Sequence, residues 1–209
     1  MENVINELND GQDANLGPLI EAVLKVGQLP VELVEGVTST DEDLRYNCYQ
    51  ALITVGRARP EMLYPYWDSF VELLDSPNAY HRSVAVRLIA YTTPADDGGR
   101  FESLFDRYFE FLDDDKILVT RYLVQDAGII AKAKPDLQER IVAKLLTIDD
   151  THHKHKDLIK GDVIQAFETF FDAYPDRERL LAFVRDQLSS GSPKTRRAAK
   201  AFVEQHQGG

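Results

Sequence analysis

Arg121–Gly128 reads RYLVQDAG, and its spacing recurs four more times along the 209 residues. The other copies are RYNCYQAL (45–52), RSVAVRLI (82–89), KGDVIQAF (160–167) and RRAAKAFV (196–203). Three positions after each basic residue stand Cys48, Ala85, Val124, Val163 and Ala199. Six positions after it stand Ala51, Leu88, Ala127, Ala166 and Phe202, followed by Leu52, Ile89, Gly128, Phe167 and Val203. All fifteen slots are apolar or glycine, and offsets of three and six to seven mark one face of an α-helix. The anchors Arg45, Arg82, Arg121, Lys160 and Arg196 are separated by 37, 39, 39 and 36 residues. A near-constant period of this length is the mark of a repeat protein built from helix pairs.

Between the anchored helices lie five further apolar stripes, over about Val31–Val37, Met62–Leu74, Phe101–Leu112, Leu137–Ile148 and Arg177–Leu188. Another helix, about Leu16–Val26, precedes the first pair. Turn residues precede each anchored helix except the fourth in a compact form: Asp41-Glu42-Asp43, Ser76-Pro77-Asn78, Asp113-Asp114-Asp115 and Ser189 to Pro193. Such side chains cap free N–H groups and suit the positive end of the helix dipole. Pro60, Pro135 and Pro175 are expected to close the anchored helices.

Helix pairs of this length, with an arginine opening the second helix and Asp-rich turns, resemble HEAT repeats of the armadillo-type superfamily. The resemblance implies an all-α fold, a right-handed α-α superhelix (solenoid) of about five HEAT-like pairs plus an N-terminal capping helix. The expected layout is a tail and capping helix over 1–29 and one domain over 30–206. Its repeats fall at about 30–59, 60–94, 95–134, 135–174 and 175–206, with a short tail at 207–209. The family often carries Asp six positions before the arginine; here only Asp115 before Arg121 matches. The resemblance also implies that the anchors Arg45, Arg82, Arg121, Lys160 and Arg196 stitch turns of the stack together.

Composition narrows the function classes. Net charge is −11, from 35 Asp and Glu against 24 Lys and Arg, which disfavours a phosphate backbone or an anionic membrane as partner. One cysteine, Cys48, allows no internal disulfide, and its core slot predicts an unreactive thiol. No stretch approaches the ~20 apolar residues of a membrane span. The expectation is a cytoplasmic protein with no membrane partner. No Gly-rich phosphate loop, nucleophile elbow, HExxH or paired CxxC is present. Neither catalytic residues nor a cofactor are therefore expected.

The turn DDTHHKHKD (149–157) holds three of five histidines. In the repeat frame it stands where other pairs have their acidic turns. Asp149 and Asp150 then read as capping residues, and His152, His153 and His155 as solvated turn residues. No further ligand is fixed by the local sequence, and Lys154 and Lys156 oppose a cation, so no metal site is expected.

A stack of helix pairs presents a long pre-ordered surface for a partner helix or peptide. In this family the second helices line the concave side. One and five positions past the anchors, Tyr46, Gln50, Arg87, Tyr122 and Asp126 project away from the core slots as candidate partner contacts. Tyr64 and Tyr66 in EMLYPYWDSF add a second candidate patch, with Trp67 and Phe70 directed inward. The leading expectation is a non-enzymatic adaptor or scaffold binding another protein through its concave face. The alternative is a nucleic-acid-binding protein like the HEAT-like alkyl-purine DNA glycosylases.

Overall fold

The computed structural model describes Leu8 and residues 15–206, and among these every regular element is helical. Eleven α-helices follow one another: α1 (Gly17–Val26), α2 (Val31–Gly36), α3 (Glu42–Ala58), α4 (Trp67–Glu72), α5 (Ala79–Thr92), α6 (Arg100–Glu110), α7 (Ile117–Ala133), α8 (Gln138–Leu145), α9 (Lys156–Glu168), α10 (Arg177–Asp186) and α11 (Pro193–His206). They fall into two compact units, Met1–Gly98 and Gly99–Gly209. No described helix is long and apolar enough to cross a membrane.

All fifteen repeat slots are buried, from Cys48 at 0% exposure to Val203 at 7%. In the first unit α3 packs against α2 and α5, and in the second α9 packs between α7 and α11. The first helices of the pairs add aromatic bulk: Phe101 and Tyr108 on α6 meet edge to face at 5.3 Å and are both fully buried. Such rings contribute beyond their buried area through this geometry.

The helix ends follow local chemistry. Asp41 opens α3 by accepting the N–H groups of Asp43 and Leu44 at 3.0 and 2.9 Å. Asn78 does the same for α5, accepting Tyr80 N–H at 2.9 Å. Gly27 closes α1 in the left-handed conformation, φ +74°, which glycine adopts without a Cβ penalty. Pro60 and Pro135 each open a 3-10 turn directly after α3 and α7. Pro175 does not close α9. That helix ends at Glu168, and a 3-10 turn over Phe171–Ala173 separates it from the proline.

Two glycines set helix separation in the second unit. A Cβ on Gly128 of α7 would stand 2.6 Å from Thr169 Oγ1 and 2.7 Å from the Ala166 carbonyl oxygen. A Cβ on Gly161 of α9 would stand 2.6 Å from Thr195 Oγ1 on α11.

Cys48 is buried, and burial pushes its thiol up to about 12. The native chain should therefore resist iodoacetamide at pH 8, whereas denatured chain labels fully; mass spectrometry of both samples checks this. Native labelling at the denatured rate would contradict the packing.

Candidate binding surfaces

Three of the five anchors engage their turns through one recurring device. Arg45 Nη1 donates to the Ser39 carbonyl at 2.8 Å, Arg82 to Ser76 at 3.0 Å and Arg196 to Ser190 at 2.6 Å. Each acceptor lies six residues back and is a serine. Each serine hydroxyl in turn accepts the N–H two residues on, from Asp41, Asn78 or Ser192. The pattern Ser-x-[Asp/Asn/Ser]-x-x-x-Arg is therefore written three times in the chain, with serine six positions before the arginine where an aspartate is expected. Lys160 pairs with Asp149 of its own turn at 2.7 Å.

Arg121 behaves differently. Although Asp115 stands six positions before it, Arg121 bonds Asp162 on α9 through Nε at 2.6 Å and Nη2 at 3.2 Å. Gln125 donates to the same carboxylate at 3.1 Å, and Lys194 Nζ lies 3.7 Å from it. Asp162 is fully buried, and its hydrogen bond holds the Arg121 guanidinium above its usual range.

The expected second-helix row divides. In the first unit Tyr46 is exposed, and Gln50 and Arg87 are half-buried. Arg87 donates to the Tyr49 hydroxyl at 2.6 Å, joining α5 to α3. In the second unit Tyr122 is half-buried, but Asp126 is only 4% exposed and is not a surface contact. Ser83, in the corresponding row of α5, is also buried. One and five positions past an anchor border a wide apolar face, so a neighbouring helix covers them where it packs closely.

Trp67 and Phe70 are buried at 3% and 0% exposure. Tyr64 and Tyr66 are half-buried, with hydroxyls turned into the structure: Tyr64 donates to Asp96 Oδ1 at 3.1 Å and Tyr66 to the Leu29 carbonyl at 3.2 Å. Tyr66 then forms one wall of a 510 Å³ apolar groove with Val23, Val26, Leu29 and Val31 of the α1–α2 region. Val26 is 73% exposed and Val31 46%, the most open large aliphatic side chains among the described residues of the first unit. Glu32 stands on the rim. This groove lies outside the expected partner surfaces, because the sequence presents α1 only as a helix capping the first pair.

The histidine turn also departs from expectation. Asp149 and Asp150 sit in the 3-10 turn Leu146–Asp150, and α9 opens at His155 with no side-chain cap. His153 is not solvated: it is 6% exposed, with Nε2 2.8 Å from Thr120 Oγ1 and a further ring hydrogen bond to the Leu112 carbonyl. Burial, then the neighbouring His152, holds its imidazole below the usual range. His152 is exposed and reaches back one repeat. Asp113 Oδ1 accepts its backbone N–H at 2.7 Å and lies 2.6 Å from its Nδ1. The two imidazoles lie against each other with centroids 4.4 Å apart and planes tilted by 38°. Asp113, His152 and His153 thus bring three donor atoms within 4.8 Å of one another. Asp113 could have been found by stepping back 39 residues, one repeat period, from His152.

No protein-family model matches the chain, and no curated protein matches it. Seven chains among solved structures do. One is described as an engineered protein from the Northeast Structural Genomics Consortium, with 19% identity and a TM-score of 0.49 over 97% of this chain and 86% of that one. Nothing functional follows from that likeness.

Proposed function

We propose that the chain is a non-enzymatic, HEAT-like interaction module, and that its first unit docks a cationic amphipathic helix of another protein. The observation that supports this most is the apolar groove lined by Val26, Val31 and Tyr66. Exposed aliphatic side chains around a concave, polar-rimmed surface mark an interaction site more often than an isolated exposed valine does. A helix laid in a groove presents apolar anchors at i, i+3 and i+4.

Charge selects the partner's flanks. Residues 1–98 carry sixteen Asp and Glu against six Lys and Arg, whereas residues 99–209 carry nineteen against eighteen. Nearly all of the net −11 therefore belongs to the half that holds the groove. A basic helix is drawn to that half, and a nucleic acid or acidic peptide is repelled. The glycosylase-like alternative has less support: Trp67, at 3% exposure, offers no face on which an extruded base could stack.

The test is a titration of 15N-labelled chain with a Leu/Lys amphipathic helix and with its Leu/Glu counterpart. Amide shifts at Val26, Val31 and Tyr66 are expected with the basic peptide alone. Burying two valines is worth about 1.5–3 kcal/mol each, so Val26→Asp/Val31→Asp should weaken binding by at least ~100-fold. Equal binding of the acidic peptide, or shifts confined to other helices, would overturn the reading.

A further inference from the structure

We propose that Asp113, His152 and His153 form a site for one divalent transition-metal ion, with zinc the best chemical match. This is independent of the groove. Its basis is the stacking of two successive turns, which brings donors from residues 39 positions apart into one cluster. Two imidazoles and a carboxylate suit Zn²⁺, whereas Ca²⁺ and Mg²⁺ take oxygen ligands almost throughout.

The geometry is near what zinc requires. Tetrahedral ligands at ~2.0–2.1 Å from zinc stand ~3.3 Å from one another, so donors already within 4.8 Å need shift by only about an ångström or so. The groups that must move are free to do so. His152 and Asp113 side chains are each 53% exposed, and their mutual hydrogen bond is exchanged for bonds to the ion. His153 is the fixed member, held by Thr120 and by the Leu112 carbonyl. One of these contacts is given up to the ion, and the other orients the ring. Metal-binding histidines commonly have such an outer partner on the second nitrogen.

The surroundings leave the ion a coordination position. Asp114 lies near enough to act electrostatically on His153. The adjoining 420 Å³ cavity is lined by Asp115, His152, His153 and His155 together with Lys116, Lys154, Ile117 and Leu118, leaving room for water or for His155 as a fourth ligand. Of the two lysines that opposed a metal in the sequence, Lys156 is directed elsewhere, donating to the Asp149 carbonyl at 2.5 Å, whereas Lys154 lines the cavity.

The test uses untagged full-length chain stripped with EDTA, titrated with Zn²⁺ against a chromogenic chelator and separately with Co²⁺. One equivalent should bind, and cobalt should show the intense visible bands of a four- or five-coordinate ion. His152→Ala and Asp113→Asn should each weaken binding at least ~10-fold, while His206→Ala should leave it unchanged. Both variants alter exposed side chains, and circular dichroism checks that the helices persist. Zinc should also raise the melting temperature of the wild type reversibly, and not that of His152→Ala. If Asp113→Asn is silent and His155→Ala alone weakens binding, the ion is adventitious on a histidine-rich turn and the site is refuted. Failure to bind one equivalent refutes it equally.

Discussion

Gly128→Ala should destabilise the chain by about 2–3 kcal/mol, although helix propensity alone would favour alanine by about 1 kcal/mol. The sign is decided by the α7–α9 contact. The added methyl would meet the Ala166 carbonyl oxygen at 2.7 Å and Thr169 Cβ at 2.8 Å, as well as the Thr169 hydroxyl. A hydroxyl can rotate away; a backbone carbonyl within α9 moves only if the helix moves. Gly128→Val, with two further methyls, should not give a folded second unit. Gly98→Ala is the matched control, since its Cβ would meet only the Tyr64 hydroxyl at 3.3 Å. Urea unfolding of the three variants measures the differences. A Gly128→Ala cost below that of Gly98→Ala would show that the two helices can part freely.

Arg121→Met should cost about 3 kcal/mol, clearly more than Arg45→Met or Arg82→Met at about 1–2 kcal/mol. Burial of what is left behind sets the order. Losing Arg121 strands Asp162, whose side chain is fully buried, with Gln125 at 3.1 Å and Lys194 at 3.7 Å as its remaining partners. Losing Arg45 or Arg82 strands only turn carbonyls of Ser39 or Ser76, which water can reach more readily. Asp162→Ala should cost less than Arg121→Met, because the Arg121 side chain keeps 25% exposure and can rehydrate. Chemical unfolding of the four variants gives the ranking, and equal costs for Arg121 and Arg45 would contradict it.

The helical order was legible because one signal, the three-and-seven spacing after a basic residue, is dictated by packing alone. Every slot it marked is buried. Positions beside that face were not legible. Asp126 and Ser83 have the periodicity of surface residues, yet neighbouring helices cover them. His153 reads as one more polar residue of a charged turn, and only the spatial approach of Thr120 and Leu112 makes its burial affordable. Tyr66 is legible as an aromatic near the surface, whereas the groove it walls with α1 and α2 is not. Asp113 was read as a cap, because a ligand set shared by two turns has no local spacing to recognise. In repeat chains the useful distance for such searches is the period itself.

The serine–arginine clamps bear on how the chain acquires its structure. Each closes a loop of only six residues, as in Arg45 to Ser39. Loops of about ten residues close within ~10–100 ns, far faster than the assembly of a whole domain. The Arg121–Asp162 bridge instead spans 41 residues. By chain entropy alone that closure costs about 1.7 kcal/mol more than a six-residue loop. Turns held by Arg45, Arg82 and Arg196 can therefore form within the nascent helix that follows them, before any neighbour arrives. The buried Arg121–Asp162 bridge must wait for α9, so α7 and α9 lock their register only after these turns have closed.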